Sequence, residues 1–368
     1  MPAPRILMLT AAFGEGHNSA ARNLSLGLQR LGAETLVADP CMLSSPIVTK
    51  LLCNGYRFLT THLPNLWYKI YLSTDKMDFS RQDSLLMRKP EKKVAELIEE
   101  FSPDAIVSTY PIYPYFLARI LADRVVKPPV YTVITDSIEI NASWKKAPTA
   151  AWLVTDPQTR ELLIRTGLPQ EKIIDTGFPV HPDFAEMSGL DSRAIIKPFR
   201  ILYFPTAKKP HIRRFSRALL DASPDVQLTI VLGKNIRLLY QRARELRALF
   251  PGRVRIIGWT KRVPQLLDSH HVVVGKAGGA TVHEAIAAQC PMIVHHLVPG
   301  QEEGNLKLLE HLGCGALAET PEAIRALTVD LLADQGQRWR AMKTKLSVYH
   351  RNAGAFHAAR FLLGQLAK

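Results

Sequence analysis

Short apolar runs alternate with amphipathic stretches along almost the whole chain. RILMLT (residues 5–10) leads into a glycine loop, then an amphipathic segment ending at Gly32, then ETLVADP. This order predicts strand, helix, strand, the opening of a βαβ unit. DAIVSTYP, PVYTVITD and AAWLVTD are further short runs of β-branched and aromatic residues bounded by turn formers. Their hydrophobicity is continuous rather than alternating, which fits a parallel sheet covered on both faces. The pattern then restarts with RILYFPT, VQLTIVLG, VRIIGW, HVVVGKAGG, PMIVHHL and GALAE. Two α/β domains are therefore expected, residues 1–185 and 196–336. A hinge rich in Gly, Pro and acidic residues is expected at 177–198. A helical segment, 337–368, closes the chain and is a candidate to pack back on the first domain.

Residues 41–90 interrupt the first domain and are too long for a simple connection. They carry seven Lys/Arg and three Asp/Glu, and Tyr56, Phe58, Trp67, Tyr68 and Tyr71 are interleaved with Arg57 and Lys69. Basic and aromatic residues on one amphipathic stretch suit a membrane interface. An inserted helical pair with its aromatics in the core is the plainer alternative, and the two are compatible.

The composition narrows the class. The 368 residues are comfortable for two domains, and 47% hydrophobic residues is an ordinary globular balance. The four cysteines are scattered, without CxxC spacing, so neither a zinc site nor a disulfide framework is expected. The N-terminus lacks the apolar core of a signal peptide, and no apolar run reaches the length of about 18 residues that a membrane span needs. A net charge of +14 favours polyanionic partners such as anionic lipid or a phosphorylated substrate. Nucleic acid is not expected, because zinc-finger spacing, an aromatic RNP-like strand and a helix-turn-helix are all missing.

Three loops can do chemistry. GEGHNS (14–19) joins the first strand to the first helix, where Gly14 and Gly16 let a ligand approach the backbone and the helix start offers free N–H groups. His17 and Asn18 then sit at the carboxyl edge of the sheet, where α/β proteins bind ligands. An imidazole there can take a proton from an attacking hydroxyl near neutral pH. In TDSIEINASW, Asp136 either orients His17, lines an acceptor site, or caps a turn or helix. The third loop follows HVVVG: Lys276, Gly278, Gly279, Ala280 and Thr281 lead into a helix whose start carries roughly half a positive charge. A diphosphate can approach small residues in that place. Glu284, about one turn on, can accept both hydroxyls of a ribose. Gly300, Gln301, Glu302 and Asn305 of PGQEEGN follow the next strand, and their amides and carboxylates suit sugar hydroxyls without a metal.

These segments, together with GFPVHPDF, VLGKN and GWTKRVPQLLDSHH, resemble the monogalactosyldiacylglycerol synthase and processive diacylglycerol glucosyltransferase family. That family is related to the lipid-linked N-acetylglucosaminyltransferase of peptidoglycan synthesis. The likeness runs over nearly the whole chain and is strongest from 252 to 305. It implies a GT-B fold, two Rossmann-like domains facing each other across a cleft. It also implies an inverting transfer of a hexose from a UDP-sugar to a lipid acceptor, most simply diacylglycerol, with no cofactor and no metal. His17 resembles the base and Glu284 the ribose ligand. Gly278, Gly279 and Thr281 resemble the diphosphate loop, and Gln301 and Asn305 the donor-sugar contacts. The backbone near Gly258, Trp259 and Val263 would hold the uracil ring, with Gly233 and Asn235 nearby. The expected location is the cytoplasmic face of an anionic membrane, peripherally bound.

Two features depart from the family pattern. The glycine-rich loop usual after the first strand of the second domain reads YFPTAKKPHIRR here, with Lys208, Lys209 and Arg213 available to phosphate. The segment SIEINASW lacks the histidine that relatives often carry. Two other readings fit parts of the pattern: a UDP-sugar epimerase or hydrolase on the same fold, and a non-catalytic sugar-nucleotide or lipid-binding protein.

Overall fold

The computed structural model describes residues 2–76, 85–146, 148–193, 197–207 and 209–367. Part of the 41–90 insertion, and Lys208 of the altered loop, lie outside the described residues. The chain divides into two units. Unit 1 comprises Met1–Pro182, Pro299–Gly304 and Ala353–Lys368; unit 2 comprises Asp183–Val298 and Asn305–Asn352.

Unit 1 is built on six parallel strands: β1 (Arg5–Leu9), β2 (Glu34–Ala38), β3 (Ala105–Ser108), β4 (Val130–Val133), β5 (Ala151–Val154) and β6 (Ile173–Asp175). Their order across the sheet is β2-β1-β3-β4-β5-β6. The apolar runs seen in the sequence are β1 to β5; the short β6 lacks such a run and escapes notice. Both faces are covered. Ile6, Met8 and Val107 pack against Ala21, Leu24 and Leu28 of the helix Glu15–Arg30, and against Ala358, Ala359 and Leu362 of the helix Gly354–Leu366. Leu7, Leu9 and Ile106 pack on the opposite face against Val94, Ile98 and Phe116. Small residues set the fit of the last helix: a Cβ on Gly354 would stand 2.0 Å from the Phe178 carbonyl oxygen. The 337–368 segment thus divides, with Gln337–Tyr349 in unit 2 and Gly354–Leu366 in unit 1.

Unit 2 repeats the plan with β7 (Phe199–Tyr203), β8 (Val226–Val231), β9 (Val254–Ile257), β10 (Val272–Lys276), β11 (Met292–His296) and β12 (Gly315–Leu317). The order is β12-β11-β10-β7-β8-β9, again all parallel. Its core includes Phe199, Ile201, Ile230, Val274 and the fully buried Trp339, whose indole N–H donates to the His271 carbonyl at 2.7 Å.

The insertion forms two helices in its described part, Pro46–His62 and Pro64–Lys76. The first is inside out. Its inward positions are Thr49, Cys53 and Thr60, with Tyr56 half-buried, while Ile47, Leu51 and Phe58 are 83%, 71% and 56% exposed. Inward polarity is satisfied locally: Thr49 Oγ1 donates to the Cys41 carbonyl at 2.8 Å and Thr60 Oγ1 to that of Tyr56 at 2.9 Å. On the second helix Trp67 and Tyr71 turn inward, Tyr68 lies at the edge, and Leu66, Ile70 and Leu72 face water. The insertion is therefore an inserted helical pair as its plainer reading has it, yet its outer surface is aliphatic as well as basic. Among the described residues, no helix is long and apolar enough to cross a membrane.

Candidate functional site

In both units the candidate residues gather at the carboxyl ends of the strands, because a parallel sheet turns all its strand-to-helix loops to one edge. In unit 1, Gly14 is the cap of the helix that follows β1, at a φ of 141° that glycine adopts without strain. Among the described residues no side-chain cap bond closes that helix start. Glu15 and Gly16 form the first turn, and His17 follows, buried in the sheet edge.

The imidazole is held on several sides. Its Nδ1 lies 3.0 Å from Thr135 Oγ1, just past β4. The Tyr110 ring meets it edge-on at 5.3 Å and the Trp144 ring lies at 5.9 Å. Thr109 Oγ1 donates to the His17 carbonyl at 3.1 Å. Burial pushes the His17 pKa down to about 4, against a weaker opposing effect of the ring's interaction with the Thr109 backbone. The ring is therefore neutral at pH 7. Asn18 accepts a hydrogen bond from Thr10 Oγ1 at 2.9 Å, which ties the helix start to the end of β1.

Asp136 takes its hydrogen bond elsewhere. The Trp144 indole donates to Asp136 Oδ2 at 3.0 Å, and among the described residues no hydrogen bond joins Asp136 to His17. Burial raises the Asp136 pKa to about 6; the Trp144 bond opposes this and the nearby Glu302 carboxylate adds to it. Thr135, Tyr110 and Trp144 were not singled out in the sequence. Thr135 carries a visible signal, since it closes the run in PVYTVITD directly before Asp136. The two rings come from separate segments and had none.

Gly300, Gln301 and Glu302 belong to unit 1 through the segment Pro299–Gly304. Gly304 sits so close to the TDSIEIN loop that a Cβ would lie 1.9 Å from the Ser137 carbonyl oxygen. Glu302 is buried there. Gln301 accepts a hydrogen bond at 2.7 Å from the Tyr56 hydroxyl of the insertion. Gly300, at a φ of 78°, lies beneath the Tyr68 and Tyr71 rings, 2.7 Å from Tyr71 Cδ1 to a would-be Cβ.

In unit 2, Lys276 ends β10 exposed, and the pairing with β11 shifts register between Gly275 and Lys276. Gly278 caps the helix Gly279–Ala287, again with no side-chain cap. Ala280 and Thr281 fill its first turn and Glu284 its second; all three are half-buried. Asn305 is buried and donates to the Ala277 carbonyl at 3.0 Å, supporting the turn. The loops after β8 and β9 are joined, with the Gly233 N–H donating to the Gly258 carbonyl at 3.2 Å. Asn235 beside them is exposed, Val263 opens the helix Val263–Ser269, and Trp259 leaves a large ring 60% exposed at the strand ends. Lys209 begins the helix Lys209–Leu220, and Arg213 is exposed on it. The sequence set from 276 to 305 is thus shared: Lys276 to Glu284 and Asn305 in unit 2, Gly300 to Glu302 in unit 1.

Known proteins resemble this chain in sequence and in fold. The monogalactosyldiacylglycerol (MGDG) synthase family profile matches residues 17–180. A processive diacylglycerol beta-glucosyltransferase of Bacillus licheniformis is 26% identical over 356 residues, covering 94% of this chain and 91% of that protein. Among solved structures, MurG of Acinetobacter baumannii superposes with a TM-score of 0.60 at 17% identity, over 98% of this chain and 99% of that one. The glycosyltransferase SnogD of Streptomyces nogalater gives 0.62 at 17% identity, over 99% and 100%. At such identities the solved structures speak for the fold. The family profile and the near full-length relative bear out the resemblance read from the sequence. The chain is a two-domain α/β protein of GT-B fold, similar in sequence to the monogalactosyldiacylglycerol synthase and processive diacylglycerol glucosyltransferase family.

Proposed function

We propose that the protein is an inverting glycosyltransferase that moves a hexose from a UDP-sugar to a lipid hydroxyl, most simply that of diacylglycerol, at an anionic membrane surface. The observation that carries this is His17: buried, neutral at pH 7, and fixed by Thr135 next to an uncapped helix start. With Nδ1–H donating to Thr135 Oγ1, Nε2 keeps its lone pair. As the acceptor oxygen bonds to the anomeric carbon, its proton passes to His17 Nε2. The bond from that carbon to the diphosphate oxygen breaks, and UDP departs with the electron pair. The N–H groups at the start of Gly279–Ala287 take the negative charge of the leaving diphosphate, so the reading needs no metal. Glu284 accepts the ribose hydroxyls, and the Gly258–Trp259 loop flanks the base.

The lipid acceptor and membrane surface rest on the insertion. Half of the large exposed hydrophobic side chains among the described residues, 11 of 22, fall between Leu43 and Leu72. Exposed Lys50, Arg57 and Lys69 stand among them. Each apolar side chain that enters the bilayer contributes on the order of 1.5–3 kcal/mol. Each nearby cation adds about 1 kcal/mol on an anionic surface. Replacing Ile47 and Leu51 together by Asp should release the protein from anionic vesicles at low salt; undiminished sedimentation with vesicles would refute the membrane part.

The donor part is tested by calorimetry with UDP, UDP-glucose, UDP-galactose and UDP-N-acetylglucosamine in the presence of a chelator. UDP binding with a preference for one sugar is expected. No binding of any of the four would overturn the donor assignment and leave the lipid-binding reading.

A further inference from the structure

The loop Pro299–Gly304 follows a strand of unit 2 yet is held wholly by unit 1. Three contacts hold it. Gly304 abuts the Ser137 carbonyl, and Gly300 lies beneath Tyr68 and Tyr71. Between them the Tyr56 hydroxyl donates to Gln301 Oε1 at 2.7 Å. Tyr56 is itself braced by the Trp67 ring, edge-on at 4.9 Å. Every one of Tyr56, Trp67, Tyr68 and Tyr71 lies on the two insertion helices whose outer faces are apolar.

A primary amide has one acceptor end and one donor end, and the two are exchanged by a half-turn of the side chain. A phenol is a better donor than acceptor, so the Tyr56 bond to Oε1 favours one of the two orientations. It leaves the two Nε2–H donors for another acceptor, and sugar hydroxyl oxygens are acceptors of that kind. The geometry points to Tyr56 as a positioning residue for donor-sugar recognition: it sets the amide of Gln301 and so joins the membrane-facing helices to the loop that reads the sugar. This rests on the UDP-sugar reading above. It adds a residue that touches neither nucleotide nor lipid, and it gives the inward face of the insertion a role separate from its outward one. The glycines at both ends explain why the loop can be pinned so closely, since a side chain at either position would collide with its support.

The test uses the full-length protein with anionic vesicles present. Tyr56→Phe keeps the ring against Trp67 and removes only the hydroxyl. Loss of one such hydrogen bond should weaken UDP-hexose binding about fivefold, with UDP affinity and vesicle binding unchanged, because UDP carries no sugar. Gln301→Ala should weaken the same binding. In the double variant the two effects should not add, since both remove one contact chain. Equal UDP-hexose affinity in Tyr56→Phe and the parent protein would overturn the inference, as would full additivity with Gln301→Ala. A parallel loss of UDP affinity would also overturn it, since that marks general damage. If the parent protein binds no UDP-hexose at all, the UDP-sugar reading fails first, a result distinct from any of these.

Discussion

The helices Glu15–Arg30 and Gly279–Ala287 begin alike and are surrounded differently. Each follows an interior strand of its sheet, each has glycine as its cap, and among the described residues no side-chain cap bond closes either start. Four other helices close theirs, with Asp39, Asn141, Asp156 and Thr320 each accepting a bond from a first-turn N–H, while the helix Pro46–His62 and others start without such a cap. Around the first glycine start, side chains dominate, and His17 is fixed by Thr135, Tyr110 and Trp144. Around the second, small residues leave the backbone open, and the Asn305 amide supports the turn through the Ala277 carbonyl. One open helix start thus comes with a single oriented imidazole, suited to moving a proton. The other comes with bare amides, suited to holding an anion. The same local backbone serves two tasks because the neighbouring strands supply different side chains.

The comparison predicts that damage at the two starts will separate in kinetics. His17→Ala should lower turnover by about 10²–10⁴-fold and leave UDP affinity intact; loss of UDP binding in that variant would break the division. Glu284→Ala should do the reverse, weakening UDP by roughly tenfold or more while turnover at saturating donor stays near the parent value. Thr135→Val should lower turnover about tenfold without changing donor affinity, and Thr135→Ser should restore it. Failure of serine to rescue would mean that Thr135 acts through packing rather than through its hydroxyl.

A smaller effect concerns pH and stability. Burial holds His17, His270 and His295 at about 4, below the ordinary 6.5. Between those values the unfolded chain binds protons that the folded one does not, so stability should fall as pH drops through this window. Asp136, raised to about 6 from 3.8, acts in the opposite sense over its own window and partly offsets the fall. Thermal melts at pH 7 and pH 4.5 read the net effect, and equal melting temperatures would contradict neutral burial of the histidines.

Much of this was legible before the structure. The apolar runs mark eleven of the twelve strands, most plainly those such as β3 and β5 that are buried on both faces. Gly14, Gly278 and Gly279 marked the two open helix starts. The partners of His17 were less legible, since Thr135, Tyr110 and Trp144 come together only when β3 and β4 align beside β1. The insertion was read from its aromatics and cations. In the fold Tyr56, Trp67 and Tyr71 face inward and the exposed face is largely aliphatic, an inversion that sequence periodicity alone does not orient. The PGQEEGN segment is contiguous in sequence, and the chain changes unit within it, with Gly300 to Glu302 in unit 1 and Asn305 in unit 2.

The most direct test follows the sugar. The protein would be incubated with sugar-labelled UDP-glucose, UDP-galactose or UDP-N-acetylglucosamine and with vesicles of anionic lipid containing diacylglycerol. Label in the lipid and in free sugar would be measured with and without the acceptor, in parallel with His17→Ala. The account predicts label in a glycosyl-diacylglycerol from one donor, dependent on the acceptor and lost in His17→Ala. Label released as free or isomerised sugar at the same rate with and without diacylglycerol would contradict it and leave a hydrolase or epimerase.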